Sequence, residues 1–175
     1  MTGAGDLILR RHSENGVEST ALYSPCERYR YDLTRVWDRD APRLFYVMLN
    51  PSKATELRND PTIERCQRRA AQLGYGAMRI GNIFAWRETS PQLLRKAKSP
   101  VGAATDGLLV EAADWADDVL CAWGVHGTHQ DRGPAVEVLL RSTRARLVHL
   151  GLTKDGHPRH PLYVSYETQP FEWHS

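Results

Sequence analysis

Four short apolar runs, Leu44–Leu49, Met78–Phe84, Asp118–Trp123 and Arg146–Leu150, recur along the chain, separated by stretches of helical periodicity. Strands that alternate with helices need crossover connections, and these impose a parallel sheet covered on both faces. The pattern predicts an α/β fold: three layers, α/β/α, around a short four-stranded parallel sheet. The first helix has clear signals. Asp60 is a good N-cap and Pro61 a good first helical residue. Ile63, Cys66, Ala70 and Leu73 then share one face, and Gly74 ends the helix. A second helix over 103–117 carries Leu108, Leu109, Ala112 and Trp115. A third, over 133–143, is opened by Pro134, with Val138 and Leu139 expected to face inward.

The first forty residues follow a different rhythm. Residues 6–11 (DLILRR) are separated from a second stretch by the polar turn SENG (13–16). Over residues 28–37, Tyr29, Tyr31 and Leu33 alternate with charged neighbours, the period-two mark of a half-buried strand. Antiparallel strands over 1–40 are therefore expected beside an α/β core over 41–170. A chain of 175 residues is long enough for one good core, so 1–175 reads as one domain.

Composition excludes several classes. With 41% hydrophobic and 25% charged residues, the chain is not disordered. No apolar run approaches the roughly 18 residues that span a bilayer, so no membrane partner is expected. The opening MTGAGDLILRRHSENG lacks the apolar core of a secretion signal, which points to the cytoplasm. Cys26, Cys66 and Cys121 are too scattered for a disulfide framework or a metal site; no metal and no cofactor are expected. The net charge of +2 neither demands nor excludes nucleic acid. Arginines cluster at Arg10 and Arg11, Arg28 and Arg30, Arg65, Arg68 and Arg69, and Arg141, Arg144 and Arg146. Each cluster reads first as a solvated face and second as a set of phosphate contacts.

Ligands of such sheets bind beyond the carboxyl ends of the strands. After the first run comes Asn50-Pro51-Ser52, a common turn signal. In the second run Asn82 interrupts an apolar strand, and a buried amide there must bond to backbone or to a ligand. The third run ends in Trp123-Gly124, where glycine lets the backbone approach a neighbour closely. The fourth leads into a loop with two His-Pro pairs, His157-Pro158 and His160-Pro161. Loop histidines held by prolines are rigid polar groups of the sort that chemistry uses.

In that order, these motifs resemble the uracil-DNA glycosylase superfamily over about residues 44–163. Asn50-Pro51-Ser52 looks like the first family motif, in the Asn-Pro form of the mismatch-specific branch. Asn82 matches the strand-borne Asn that reads the base edge. Val119-Leu120-Cys121-Ala122-Trp123-Gly124 is similar to the family's apolar strand ending in Trp-Gly. His157-Pro158-Arg159-His160-Pro161-Leu162 resembles the second motif, His-Pro-Ser-Pro-Leu, with one extra residue. Either His157 or His160 takes the place of the family histidine, and His160 is preferred because Pro161-Leu162 follow it. The chain also resembles a bacterial and phage family that shares Met-Leu-Asn-Pro-Ser and Pro-Arg-His-Pro-Leu-Tyr.

The resemblance implies a monomeric DNA glycosylase that flips out and hydrolytically excises a deaminated or modified base, in repair or in defence against phage DNA. His160 (or His157) would donate to the leaving base, and Asn50 would orient the attacking water. Asp60 is an alternative base, although a helix cap explains it. Asn82 would read the base edge, with Pro51 beside it and Phe84 or Trp86 stacking. Ser52, Lys53, Arg87 and Arg159 would contact DNA phosphates, with Leu162 as a wedge and Tyr163 beside it. Two rivals remain: an N-glycosidase of free nucleosides or nucleotides, and a non-catalytic module that grips nucleic acid.

Overall fold

The computed structural model describes residues 6–175; residues 1–5, which open both the N-terminal unit and the segment read for a secretion signal, lie outside them. Eight strands form a single mixed sheet: β1 (Ile8–Glu14), β2 (Val17–Tyr23), β3 (Arg30–Val36), β4 (Arg43–Met48), β5 (Ala77–Asn82), β6 (Asp118–Cys121), β7 (Arg146–His149) and β8 (Phe171–Glu172). Their spatial order is β1-β2-β3-β5-β4-β6-β7-β8. The pairings of β5 with β4, β4 with β6 and β6 with β7 are parallel. The remaining four are antiparallel. The fold is mixed α/β, with a sheet wider than the four strands read from the apolar runs. Two things widen it. The N-terminal strands join the sheet through β3 and β5, and β8 has only two residues, too few to leave a periodic signal.

Strand β4 lies centrally, and its side chains alternate between two cores. Leu44, Tyr46 and Met48 face the cluster that contains Ile63, Cys66 and Ala70 of helix α1 (Pro61–Gln72). Phe45 and Val47 face the other, with Leu94 of α2 (Pro91–Lys96), Leu109 of α3 (Thr105–Trp115) and Val136 and Leu140 of α4 (Arg132–Arg141). A six-residue run apolar at every position is what burial on both faces demands.

Local signals set several boundaries. Asp60 caps α1 through Oδ1, which accepts from Ile63 N at 2.9 Å, and Gly74 follows the helix at φ +91°. Between β1 and β2 the turn is Asn15-Gly16, with φ of 51° and 77°, the pair of positive angles that a two-residue hairpin of matching twist requires. Ser13 and Glu14, read as turn, belong to β1.

Two expectations are corrected. Val138 is 73% exposed and Leu139 only half-buried, whereas Val136 and Leu140, one turn apart, face the core. The helix is rotated this way because Arg132, at its start, is buried and donates through Nε to Ile83 O at 2.8 Å. Strand β3 is not half-polar: Arg30, Asp32 and Arg35 are buried. A strand inside a sheet covered on both sides has no wet face, so Asp32 and Arg35 have found partners inside the protein. Arg79 donates to Asp32 at 2.7 Å, and Arg35 reaches Asn59 Oδ1 at 3.2 Å. Cys66 and Cys121 are core residues, and Cys26 is exposed. Among the described residues no helix is long and apolar enough to cross a membrane.

Candidate functional site

The carboxyl ends of β4, β5 and β6 open into a cleft of about 730 Å³, walled on its far side by the loop that follows β7. That volume falls in the range of roughly 300–1,000 Å³ typical of small-molecule sites.

From β4 the chain runs directly into the cleft wall. Asn50 Nδ2 donates to Glu88 O at 2.9 Å and to Pro51 O at 3.1 Å. Only an amide nitrogen satisfies two carbonyls, so the orientation of the side chain is set and Oδ1 is the atom left over. Glu88 N closes the tie by donating to Pro51 O at 2.9 Å. Pro51 is buried, Ser52 half-buried and Lys53 exposed, all along the cleft.

Asn82 ends β5. It is 3% exposed and lines the cleft, yet neither Nδ2 nor Oδ1 has a hydrogen-bond partner. A buried polar group left unmade costs about 1–3 kcal/mol. The backbone bond that the sequence allowed for this amide is not formed.

Two devices bring His160 to the cleft. Gly124, at φ +73° after β6, donates its N–H to Pro158 O at 2.8 Å, and a Cβ there would lie 3.6 Å from His160 Cβ. From the other side, α1 grips the loop across almost a hundred residues of sequence. Arg65 donates to Val164 O at 2.7 Å, and Arg69 to Val164 O at 2.9 Å, Ser165 O at 3.1 Å and Thr168 O at 3.3 Å. Both guanidinium groups also lie over the Tyr166 ring. Replacing Arg69 by methionine is expected to lower unfolding stability by roughly 2–3 kcal/mol, because the buried Val164 carbonyl and two less buried ones lose a charged donor. Denaturant titration measures the loss, and an unchanged midpoint would mean that the clamp is idle.

The His160 ring is oriented by its own turn. Nδ1 accepts from Leu162 N at 3.3 Å, so the proton of the neutral ring sits on Nε2. Burial holds the imidazole pKa below its ordinary value, against the opposing pull of Asp60. Asp60 lines the cleft too, but its oxygens are committed to Ile63 N and, at 3.2 Å, to Ala54 N. It is a cap.

The cleft also gathers Arg159, Leu162 and Tyr163, the last 88% exposed at the rim. Four sequence candidates fall outside its lining. His157 closes a small turn instead: its N–H donates to Thr153 Oγ1 at 3.1 Å and its carbonyl accepts from Thr153 N at 2.8 Å. This turn absorbs the extra length before the second motif, and of the two loop histidines His160 is the one that lines the cleft, together with His126 from the segment after β6. Phe84 is fully buried in the core, with its ring 5.5 Å from that of His129. Trp86 sits edge-on to Tyr29 and under the Arg28 guanidinium. Arg87 turns away to donate to Glu27 O at 3.2 Å and to cover the Tyr23 ring. The backbone past Asn82 pairs with Met48, Leu49, Val101 and Pro100, which carries residues 83–86 away from the opening.

Arg30 was missed as a site residue. It lines the cleft while 2% exposed, and it was read as one of a pair of solvated arginines. Only its position in an alternating strand, on the face opposite Tyr29 and Tyr31, hinted otherwise. The other arginine clusters also divide: Arg141 binds Glu137 and Trp173 O, and Arg146 binds Asp118, so neither is a free cation. Among the described residues no group of three His, Cys, Asp or Glu side chains is arranged to hold a metal.

Neither the curated proteins nor the solved structures contain a match to this chain. A family model does match, over residues 30–162, and its span begins at Arg30 and ends at Leu162, both of which line the cleft. The chain belongs to that family, which is described as a protein of unknown function, DUF1643.

Proposed function

We propose that this protein is a DNA glycosylase that accepts a deaminated or modified base, flipped out of DNA, into the cleft and hydrolyses its bond to deoxyribose. The observation that carries the reading is the Asn82 amide: buried, unpartnered on both atoms, and lining the same cleft as His160 and Asn50. A donor and an acceptor side by side match the edge of a nucleobase, and burial makes a mismatched edge costly.

The chemistry follows from the neighbours. Breaking the glycosidic bond leaves positive character on the sugar and negative charge on the base. His160 lines the cleft, and its Nε2–H would serve as a neutral donor to a base oxygen as that charge develops. Water delivers its hydroxyl to the anomeric carbon, and its proton offsets the charge on the departing base. Asn50 Oδ1, held by the two bonds of its amide nitrogen, orients this water. An amide is a weak base, so the reaction depends on a good leaving group more than on activation of the nucleophile. Pro51 lines the base site, Lys53 and Arg159 flank the mouth as phosphate contacts, and Leu162 and Tyr163 stand where the displaced duplex would be met.

Incubation with oligonucleotides carrying different modified bases, followed by alkaline cleavage, tests the reading. Strand breaks at one or more of these bases are expected. Binding to such an oligonucleotide with no abasic product would favour the non-catalytic module, and release of base from mononucleotides alone would favour the nucleotide hydrolase.

A further inference from the structure

The glycosylase chemistry uses Asn82, His160 and Asn50 and leaves the most deeply buried cation in the cleft, Arg30, without a task. Arg30 is 2% exposed, lines the cleft and forms no ion pair with any carboxylate among the described residues. Its Nη1 donates to Ala54 O at 2.9 Å, while Nε has no partner. Burial pushes the guanidinium pKa down to about 10, and the carboxylate that most opposes this shift is Asp60. Both Asp60 oxygens are already engaged by backbone N–H groups. A buried cation without a paired anion is costly, and proteins seldom retain one without a counter-charge.

The sheet brings this cation to the same cleft as the unpartnered amide. Strands β3 and β5 pair antiparallel, with Leu33 opposite Ile80. The first residue of β3, Arg30, and the last of β5, Asn82, therefore lie at the same end of two neighbouring strands. Each is more than nine-tenths buried, each has polar atoms without partners, and both line one cleft. A planar guanidinium and an amide N–H that open on one cleft suit a group that offers two or more acceptor oxygens.

We propose that the deep end of the cleft is an oxyanion subsite, in which Arg30 and Asn82 together hold a carboxylate or phosphate carried by the ligand. The inference rests on the reading above only for where the ligand sits; it does not depend on bond cleavage. Two sources present such a group. A flipped base brings it as an acidic substituent on the ring, and a free mononucleotide brings it as its phosphate.

Binding measurements on matched pairs separate these sources. One pair is an oligonucleotide with a 5-carboxypyrimidine against the same strand with a 5-methylpyrimidine. The other is deoxyuridine monophosphate against deoxyuridine. In one pair the anionic member is expected to bind about tenfold more tightly or better, and that pair names the source. Arg30→Met is expected to erase the preference, with the neutral member still bound. Arg30→Lys keeps the charge and loses the fork, so it retains a reduced preference and serves in place of Arg30→Met should that variant fail to fold. Equal binding of anionic and neutral members to the wild-type protein overturns the subsite and leaves the glycosylase reading intact. So does an undiminished preference in a folded Arg30 variant. Absence of binding by all four compounds overturns the subsite together with the assignment of the cleft as the ligand site.

Discussion

Replacing His160 by alanine is expected to slow single-turnover base release by on the order of a hundredfold, while affinity for the substrate strand changes little. The ring lies behind two positioning devices, the Gly124–Pro158 bond and the arginine clamp of α1, and its Nδ1 is used internally by Leu162 N. What remains is the Nε2–H, which the proposed chemistry would use. A donor of this kind acts on charge that develops during the reaction, so its removal reduces the rate more than the binding. The pH dependence has a definite sign. Burial, the largest influence, lowers the His160 pKa below 6.5 in spite of Asp60. The neutral tautomer therefore persists at and above pH 6.5, and the rate should show no His160-dependent fall until the pH drops below that value. Stability follows the same direction: the contribution of neutral His160 is complete above the unfolded-state pKa and is lost as the pH falls through the lower folded-state value. Protonation also places a hydrogen on Nδ1 and breaks the bond from Leu162 N, which loosens the turn. An NMR titration of the ring with a midpoint above 6.5, or a His160→Ala rate equal to that of the wild type, would remove this residue from the chemistry.

Asn82→Leu should make the protein more stable and useless for recognition. Both amide atoms are buried and unpartnered, each a cost of roughly 1–3 kcal/mol that an apolar side chain of similar size does not carry. For a chain of this size, 1 kcal/mol moves the unfolding midpoint by about 2–4 °C, so a rise of several degrees is expected in calorimetry. In parallel, discrimination among bases should collapse, since the edge contacts are gone. A fall in melting temperature would mean that the amide is satisfied and structural. Unchanged base preference would mean that another group reads the base. Stability gained with function lost is the mark of a polar group kept buried for a ligand.

Much of the local structure was legible because it depends on neighbours in sequence. The Asp60-Pro61 start of α1 and its Gly74 stop need only the backbone chemistry of a helix end. Asn15-Gly16 marks its hairpin by tolerance of positive φ. The apolar runs located β4 to β7 to within one or two residues at their ends. Where the reading failed, the deciding partner was remote. Val138 was expected inside because it is apolar, but the rotation of α4 follows from a bond between Arg132 and Ile83, forty-nine residues apart. Phe84 and Trp86 are aromatic and close to Asn82 in sequence, yet the backbone past the strand end leads them away from the cleft.

The amino-acid sequence by itself determined the α/β rhythm, the helix caps and the motifs that cluster at strand ends, because periodicity, φ preferences and capping act over a few residues. Tertiary structure alone decided which of the two loop histidines lines the cleft, that Asn82 has no partner in the protein, and that Arg30 is buried rather than solvated. The physical reason is that burial and hydrogen-bond satisfaction are properties of a neighbourhood. The loop bearing His160 is held by residues about a hundred positions away on α1, and no local pattern along the chain encodes that meeting.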